Sequence, residues 1–204
     1  MALPNLSITI QNSAQQIDKL HAHQIDCEKL EAKYQHFIGE MIMLRLFSIF
    51  EDTVAEIAFK IAAGGLYLNG ASANLTIRAG RTQDARNLFL THNRVKIKDN
   101  LKWTKAKFIR ESVDNVIPAN ESFIINAQAH GQIIDEMRKV RNALAHNSPS
   151  ARAEFKDVLR VLYGFNKNIS PGVFLISKRH HNICNLSRYI SSTKLVLQTM
   201  AGGV

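Results

Sequence analysis

Met137 to Asn147 reads M-R-K-V-R-N-A-L-A-H-N and ends a helical pattern that stops at Ser148-Pro149. From Gln132 onward the apolar residues Ile133, Met137, Val140 and Leu144 recur at spacings of four, three and four, which places them on one side of a helix. That side is the expected core face. Arg138, Asn142 and His146 fall opposite it and Arg141 lies on the flank, with Asn142 four positions before His146, close enough on a helix to hydrogen-bond to it. Ser148 is suited to cap the next helix and Pro149 to open it, because a proline in the first helical position forfeits no hydrogen bond in use. His146 is therefore expected at a helix junction, free of the roughly 140° divergence that separates residues five apart in an unbroken helix.

Outward from this stretch the chain reads as all-α. Gly39 to Ala63 is apolar around most of its circumference, as suits the middle of a bundle, and Gly64-Gly65 is its stop signal. Before it, Met1 to Asn12 reads as a leader, and Ser13 to Phe37 as an exposed amphipathic helix or helix pair with a thin stripe of Ile17, Leu20, Leu30, Tyr34 and Phe37. After it, a short helix is expected near Asp84 to Thr91, a longer one over Asp99 to Val116, and a short apolar piece over Glu121 to Asn126. Helices follow at 150–165 and 185–200, the last carrying Leu186, Ile190, Leu195 and Leu197, with Ile169 to Ile176 read as a turn and a short extended piece. Arg179-His180-His181 reads as a surface cluster. With 204 residues and 46% hydrophobic composition, the chain fits one domain: a core at about 25–165, a basic insertion at about 66–110 and a C-terminal extension at 166–204.

The balance of 26 Lys and Arg against 17 Asp and Glu gives a formal charge of +9, which favours a polyanionic partner. Between Ala71 and Arg110 stand ten basic residues against Asp84 and Asp99, a local balance of +8. Arg94, Lys96, Lys98, Lys102 and Lys105 of this run, with Arg138 and Lys139 near the motif, are the candidate phosphate contacts. Trp103, with Phe89 and Phe108, is a candidate platform for unpaired bases, although a tryptophan that anchors a solvated basic face to the core fits the same pattern. No apolar run reaches the ~18 residues of a spanning helix and no secretory leader is evident, so the expectation is a cytoplasmic protein without membrane attachment. Cys27 and Cys184 form no C-x-x-C arrangement and read as two unrelated reduced thiols, and His21, His23 and Cys27 lack zinc-site spacing; neither metal nor cofactor is called for.

Histidine exchanges protons near neutral pH and arginine offers a planar charged fork to phosphate oxygens, so Arg141 and His146 together are equipped to split an RNA phosphodiester without a metal. Ordinary cations favoured by a helix C-terminus would give the same letters. Arg141-Asn142-Ala143-Leu144-Ala145-His146 resembles the R-x4-6-H signature, often R-N-x-x-x-H, of the HEPN superfamily, and the resemblance extends over about Ile25 to Leu162. It implies an all-α bundle that commonly dimerises, and for many members a metal-independent endoribonuclease of toxin–antitoxin, phage-defence or RNA-processing systems. On that resemblance Arg141 and His146 are catalytic and Asn142 orients the histidine. An acidic residue on an earlier helix stands near the motif arginine, here Glu51, with Asp52 and Glu56 competing. The implied partners are RNA, a second copy of the chain, and a cognate antitoxin or defence-system component. A HEPN-like module that binds RNA, a nucleotide or a protein without turnover is the rival expectation.

Overall fold

A computed structural model describes residues 3–146, 148–165, 167–178 and 182–203; the Arg179-His180-His181 cluster lies outside the described residues. Helix α2 (Ala32–Ala62) is the axis of the structure, and helix α1 (Leu6–Cys27) packs along it as the first hairpin. Then come α3 (Thr82–Thr91), α4 (Ala106–Val113), α5 (Ser122–Ala129) and α6 (Gly131–Ala145). The chain closes with α7 (Pro149–Tyr163), α8 (Pro171–Ile176) and α9 (Asn185–Gly202). Extended pairing among the described residues is limited to isolated bridges, so the fold is all-α. Along α2 the fully buried Met43, Leu46, Phe50, Val54, Ile57 and Ile61 recur at helical spacing and face α1, α6, α8 and α9. Gly64, at φ +82°, ends this stretch in a left-handed conformation that glycine adopts at little strain.

The helix of the N-terminal segment begins earlier than its composition suggests. Asn5 accepts a hydrogen bond from the Ser7 backbone N–H at 2.7 Å and starts α1 at Leu6, inside the stretch read as a leader. The α1–α2 seam is partly polar: Thr9 donates to Glu56 at 2.8 Å, and Lys60 reaches Thr9 at 2.7 Å. These bonds satisfy groups that a purely apolar stripe would lack, which is why the periodicity of this segment reads as thin. Leu30, Tyr34 and Phe37, expected in that stripe, are exposed.

Two further segments differ from expectation. Asp99 to Val116 is helical over Ala106–Val113 alone, and residues 92–105 follow an irregular path. Side chains take over the pairing that a longer helix would supply: buried Ser112 bonds to both the N–H and the carbonyl of Lys102, and Asn115 donates to the carbonyls of Leu88 and His92. Ile169 to Ile176 contains helix α8 where an extended piece was expected, because Ser170 caps it at the Val173 N–H and Pro171 opens it. Ser148-Pro149 starts α7 by the same device.

One contiguous core draws on all the helices named, from Leu6 to Ala201. The segment after residue 166, read as an extension, supplies Phe174, Leu186, Tyr189, Val196 and Met200 to that core, while Leu195 is half exposed. Helix α9 lies against α1, α2 and α5 and braces α6 through the Tyr189 hydroxyl, which donates to Glu136 at 2.6 Å. The motif helix is thereby fixed between α2, α7 and α9.

Candidate functional site

Phe47 and Glu51 stand one turn apart on the same face of α2. Arg141 of α6 lies across both: its Nη2 donates to Glu51 Oε2 at 3.3 Å, and its guanidinium carbon is 4.8 Å from the Phe47 ring centroid. The packed face of α6 is centred on Ile134, Met137 and Val140, with Ile133 at its margin, so the position read as a flank is turned onto α2. Burial pushes the Glu51 carboxyl above its ordinary range, Arg141 opposes that rise, and the neighbouring Asp52 adds to it. The ion pair therefore offsets only part of the desolvation of Glu51.

The opposite face of α6 meets α7 through charges. Arg138 makes a bidentate contact with Glu154 at 3.1 and 3.0 Å and bonds to Asp135 at 3.0 Å. Asp135 also receives Lys139 at 3.2 Å and Lys105 at 3.3 Å. Burial would raise the Asp135 carboxyl, but the hydrogen bonds of Arg138 and Lys139 outweigh it and hold it below the usual range. Glu154 is lowered chiefly by its hydrogen bond with Arg138, and the Asn142 amide contributes to the same effect. Asn142, expected to orient the histidine, lies near Glu154, and among the described residues its link to His146 is the backbone bond that closes the helix.

His146 is the first residue beyond α6, at φ −132° and ψ 116°, and its backbone N–H closes the helix on the Asn142 carbonyl at 2.9 Å. Its side chain is exposed, and among the described residues no hydrogen bond reaches the imidazole. The structure thus brings Glu51 to Arg141 directly. It leaves His146 at the junction with α7, with no bond to Arg141, Asn142 or Glu51 beyond that backbone link.

The basic loop between α3 and α4 distributes its cations unevenly. Arg94, whose side chain is 10% exposed, donates to the carbonyls of Phe89, Glu111 and Ser112 and to Asn115, and pairs with Asp114 at 3.3 Å. It staples the loop and is turned away from any external phosphate. Lys98 donates to the Glu111 carbonyl, and burial draws its ammonium below the usual lysine range. Lys96 is exposed, and Lys102 lies over the Phe108 ring at 5.6 Å. Lys96, Lys98, Lys102 and Phe108 line a cavity of about 530 Å³. Trp103 is partly buried and meets Phe59 edge-on at 5.9 Å, whereas Phe89 is fully buried and offers no face to a base.

Phe47 and Glu154 are the participants that the sequence reading missed. Phe47 was discoverable, four residues before Glu51 on the same helix face; Glu154 gave no local signal, being 16 positions from Arg138. Among the described residues no group of three or more His, Cys, Asp or Glu side chains is placed to hold a metal ion, and no helix is long and apolar enough to cross a membrane. These features define an all-α protein with an arginine held on its central helix beside an exposed junction histidine and a basic loop. No family model, curated protein or solved structure matches the chain.

Proposed function

We propose that this chain is a metal-independent endoribonuclease of HEPN type that acts as a toxin or phage-defence effector. The observation that carries the reading is an exposed imidazole at a helix junction, five residues after an arginine seated by Glu51 and Phe47. The 2′-oxygen of RNA attacks phosphorus as its proton passes to a base, the bond to the 5′-oxygen breaks, and that oxygen takes a proton from an acid. The products are a 2′,3′-cyclic phosphate and a 5′-hydroxyl. Arg141 stabilises charge on the phosphate, His146 moves the proton, and Glu51 acts as a positioning residue. One protomer offers one such histidine, so a homodimer that sets two motif helices around a two-fold axis supplies both base and acid. Purified protein in EDTA is expected to cut RNA and leave cyclic phosphate ends, with cutting lost in His146→Ala and Arg141→Ala proteins that retain native circular dichroism. Intact RNA after prolonged incubation sinks the proposal.

One observation favours a second reading, a HEPN-like module that binds RNA, a nucleotide or a protein without turnover. Among the described residues no hydrogen bond reaches the His146 imidazole, which leaves the ring without an orienting partner. Salt-sensitive RNA binding by wild-type protein, with no cleavage at any concentration, is the outcome that selects it.

A further inference from the structure

Cys27 and Cys184 lie far apart in sequence, but both are free, both are buried, and both line one cavity of about 130 Å³ with Gln24, Gln35 and Ile176. Cys27 is the last residue of α1 and Cys184 is the N-cap of α9. Gln24, one turn before Cys27 and 2% exposed, joins them. Its carbonyl accepts from Cys27 Sγ at 3.1 Å, and its Nε2 donates to Cys184 Sγ at 3.2 Å and to Ser187 Oγ at 2.6 Å. Its Oε1 has no partner among the described residues, an uncommon state for a buried amide oxygen.

The two thiols differ in surroundings. Burial pushes the Cys27 thiol up, with Glu28 and Cys184 adding to the rise, and it stays a protonated donor to Gln24. Cys184 Sγ instead receives the Gln24 amide and, at 3.4 Å, the Ser187 backbone N–H, with the Ser187 hydroxyl at 3.2 Å. Cys184 Sγ is thus the acceptor of this cluster and Cys27 Sγ its donor, which leaves the Cys184 sulfur placed to attack an oxidant.

We propose that Cys27 and Cys184 are a peroxide-responsive pair that closes an intramolecular disulfide between the first and last helices of the core. Cys184 Sγ attacks one oxygen of the peroxide and the O–O bond breaks. This yields a sulfenic acid and, for hydrogen peroxide, one water. Cys27 Sγ then attacks the sulfenic sulfur, the S–O bond breaks, and a second water leaves with the proton of the Cys27 thiol. Two thiols are oxidised by two electrons in all, and one peroxide is reduced by two. The bond ties the end of α1 to the start of α9 and constrains the unfolded chain, so the oxidised protein melts at a higher temperature. This inference is independent of the nuclease proposal.

The test uses the full chain. Folded protein is treated with hydrogen peroxide, quenched with catalase, unfolded in guanidinium and alkylated with N-ethylmaleimide before intact-mass measurement. The expected species is a monomer on a non-reducing gel that has lost two hydrogens and takes up no maleimide, and dithiothreitol restores two alkylation sites. In Cys27→Ala, dimedone is expected to trap a sulfenic acid on Cys184. Two maleimides on the treated wild-type chain, a disulfide between chains, or sulfinic acid on Cys184 with Cys27 still free would each overturn the proposal. Because the wild-type measurement decides by itself, a variant that fails to fold does not blunt it.

Discussion

In the α6–α7 hairpin the cations meet carboxylates: Arg138 meets Glu154 and Asp135, Lys139 meets Asp135, and on the far face Arg141 meets Glu51. In the loop between α3 and α4, Arg94 and Lys98 point inward to backbone carbonyls, and Lys96 and Lys102 remain without a carboxylate or carbonyl partner among the described residues. Both regions carry clustered Lys and Arg, and residues of both are candidate phosphate contacts by sequence. The contrast teaches that a run of positive residues measures formal charge, while the charge open to a polyanion depends on which cations the fold has already engaged. The motif hairpin holds its arginines in fixed geometry; the loop uses one arginine as a staple and offers two lysines.

The largest effect that would sharpen this contrast is on catalysis. His146→Ala is expected to lower RNA cleavage by about 10²- to 10⁴-fold, the usual span for loss of a proton-transfer group, with a melting temperature near that of wild type because the ring is exposed and unbonded. Equal cleavage by wild type and variant would break it. Next comes the staple: Arg94→Ala orphans buried carbonyls and should cost about 2–4 kcal/mol in urea unfolding, against less than about 0.5 kcal/mol for exposed Lys96→Ala. Similar losses at the two positions would mean that Arg94 is no staple.

The carboxylates of the two faces of α6 should respond oppositely to pH. Glu51 is raised above its ordinary 4.5, so in the folded chain it keeps a proton that the unfolded chain has released; its contribution is present in full below 4.5 and lost as pH rises through the raised value. Glu154 is lowered below 4.5, so its contribution is present above 4.5 and lost as pH falls through the lowered value. Urea midpoints across about pH 3 to 7 should therefore lose a falling segment in Glu51→Gln and a rising segment in Glu154→Gln. Matching profiles for the two variants would remove the distinction. The smallest effect concerns the open lysines: Lys96→Gln with Lys102→Gln should reduce the salt dependence of single-stranded RNA binding by about 1.4 in slope, or about 0.7 per phosphate contact, whereas Arg94→Gln should leave that slope unchanged.

Legibility followed distance along the chain. The Ser148 cap, Pro149 at the start of α7, the Gly64 stop and the amphipathic course of α6 all depend on neighbours within about four residues, and each was readable. The pairing of Glu51 with Arg141, 90 positions apart, was expected only through a family resemblance, and the fold supplies it directly. The truncation of α4 was not readable, because Ser112 and Asn115 bond to carbonyls that local periodicity does not connect to them.

By itself the sequence determined an all-α chain, the junction at which His146 sits and the excess of positive charge, for these rest on composition and on periods shorter than one or two helical turns. Only the tertiary structure decided which arginine is seated on Phe47, which lysines face solvent and which distant cysteines share a cavity. The physical reason is that charge pairing, burial and thiol proximity depend on which helix faces meet. That in turn is settled by packing α1 and α9 against α2, at the two ends of the chain.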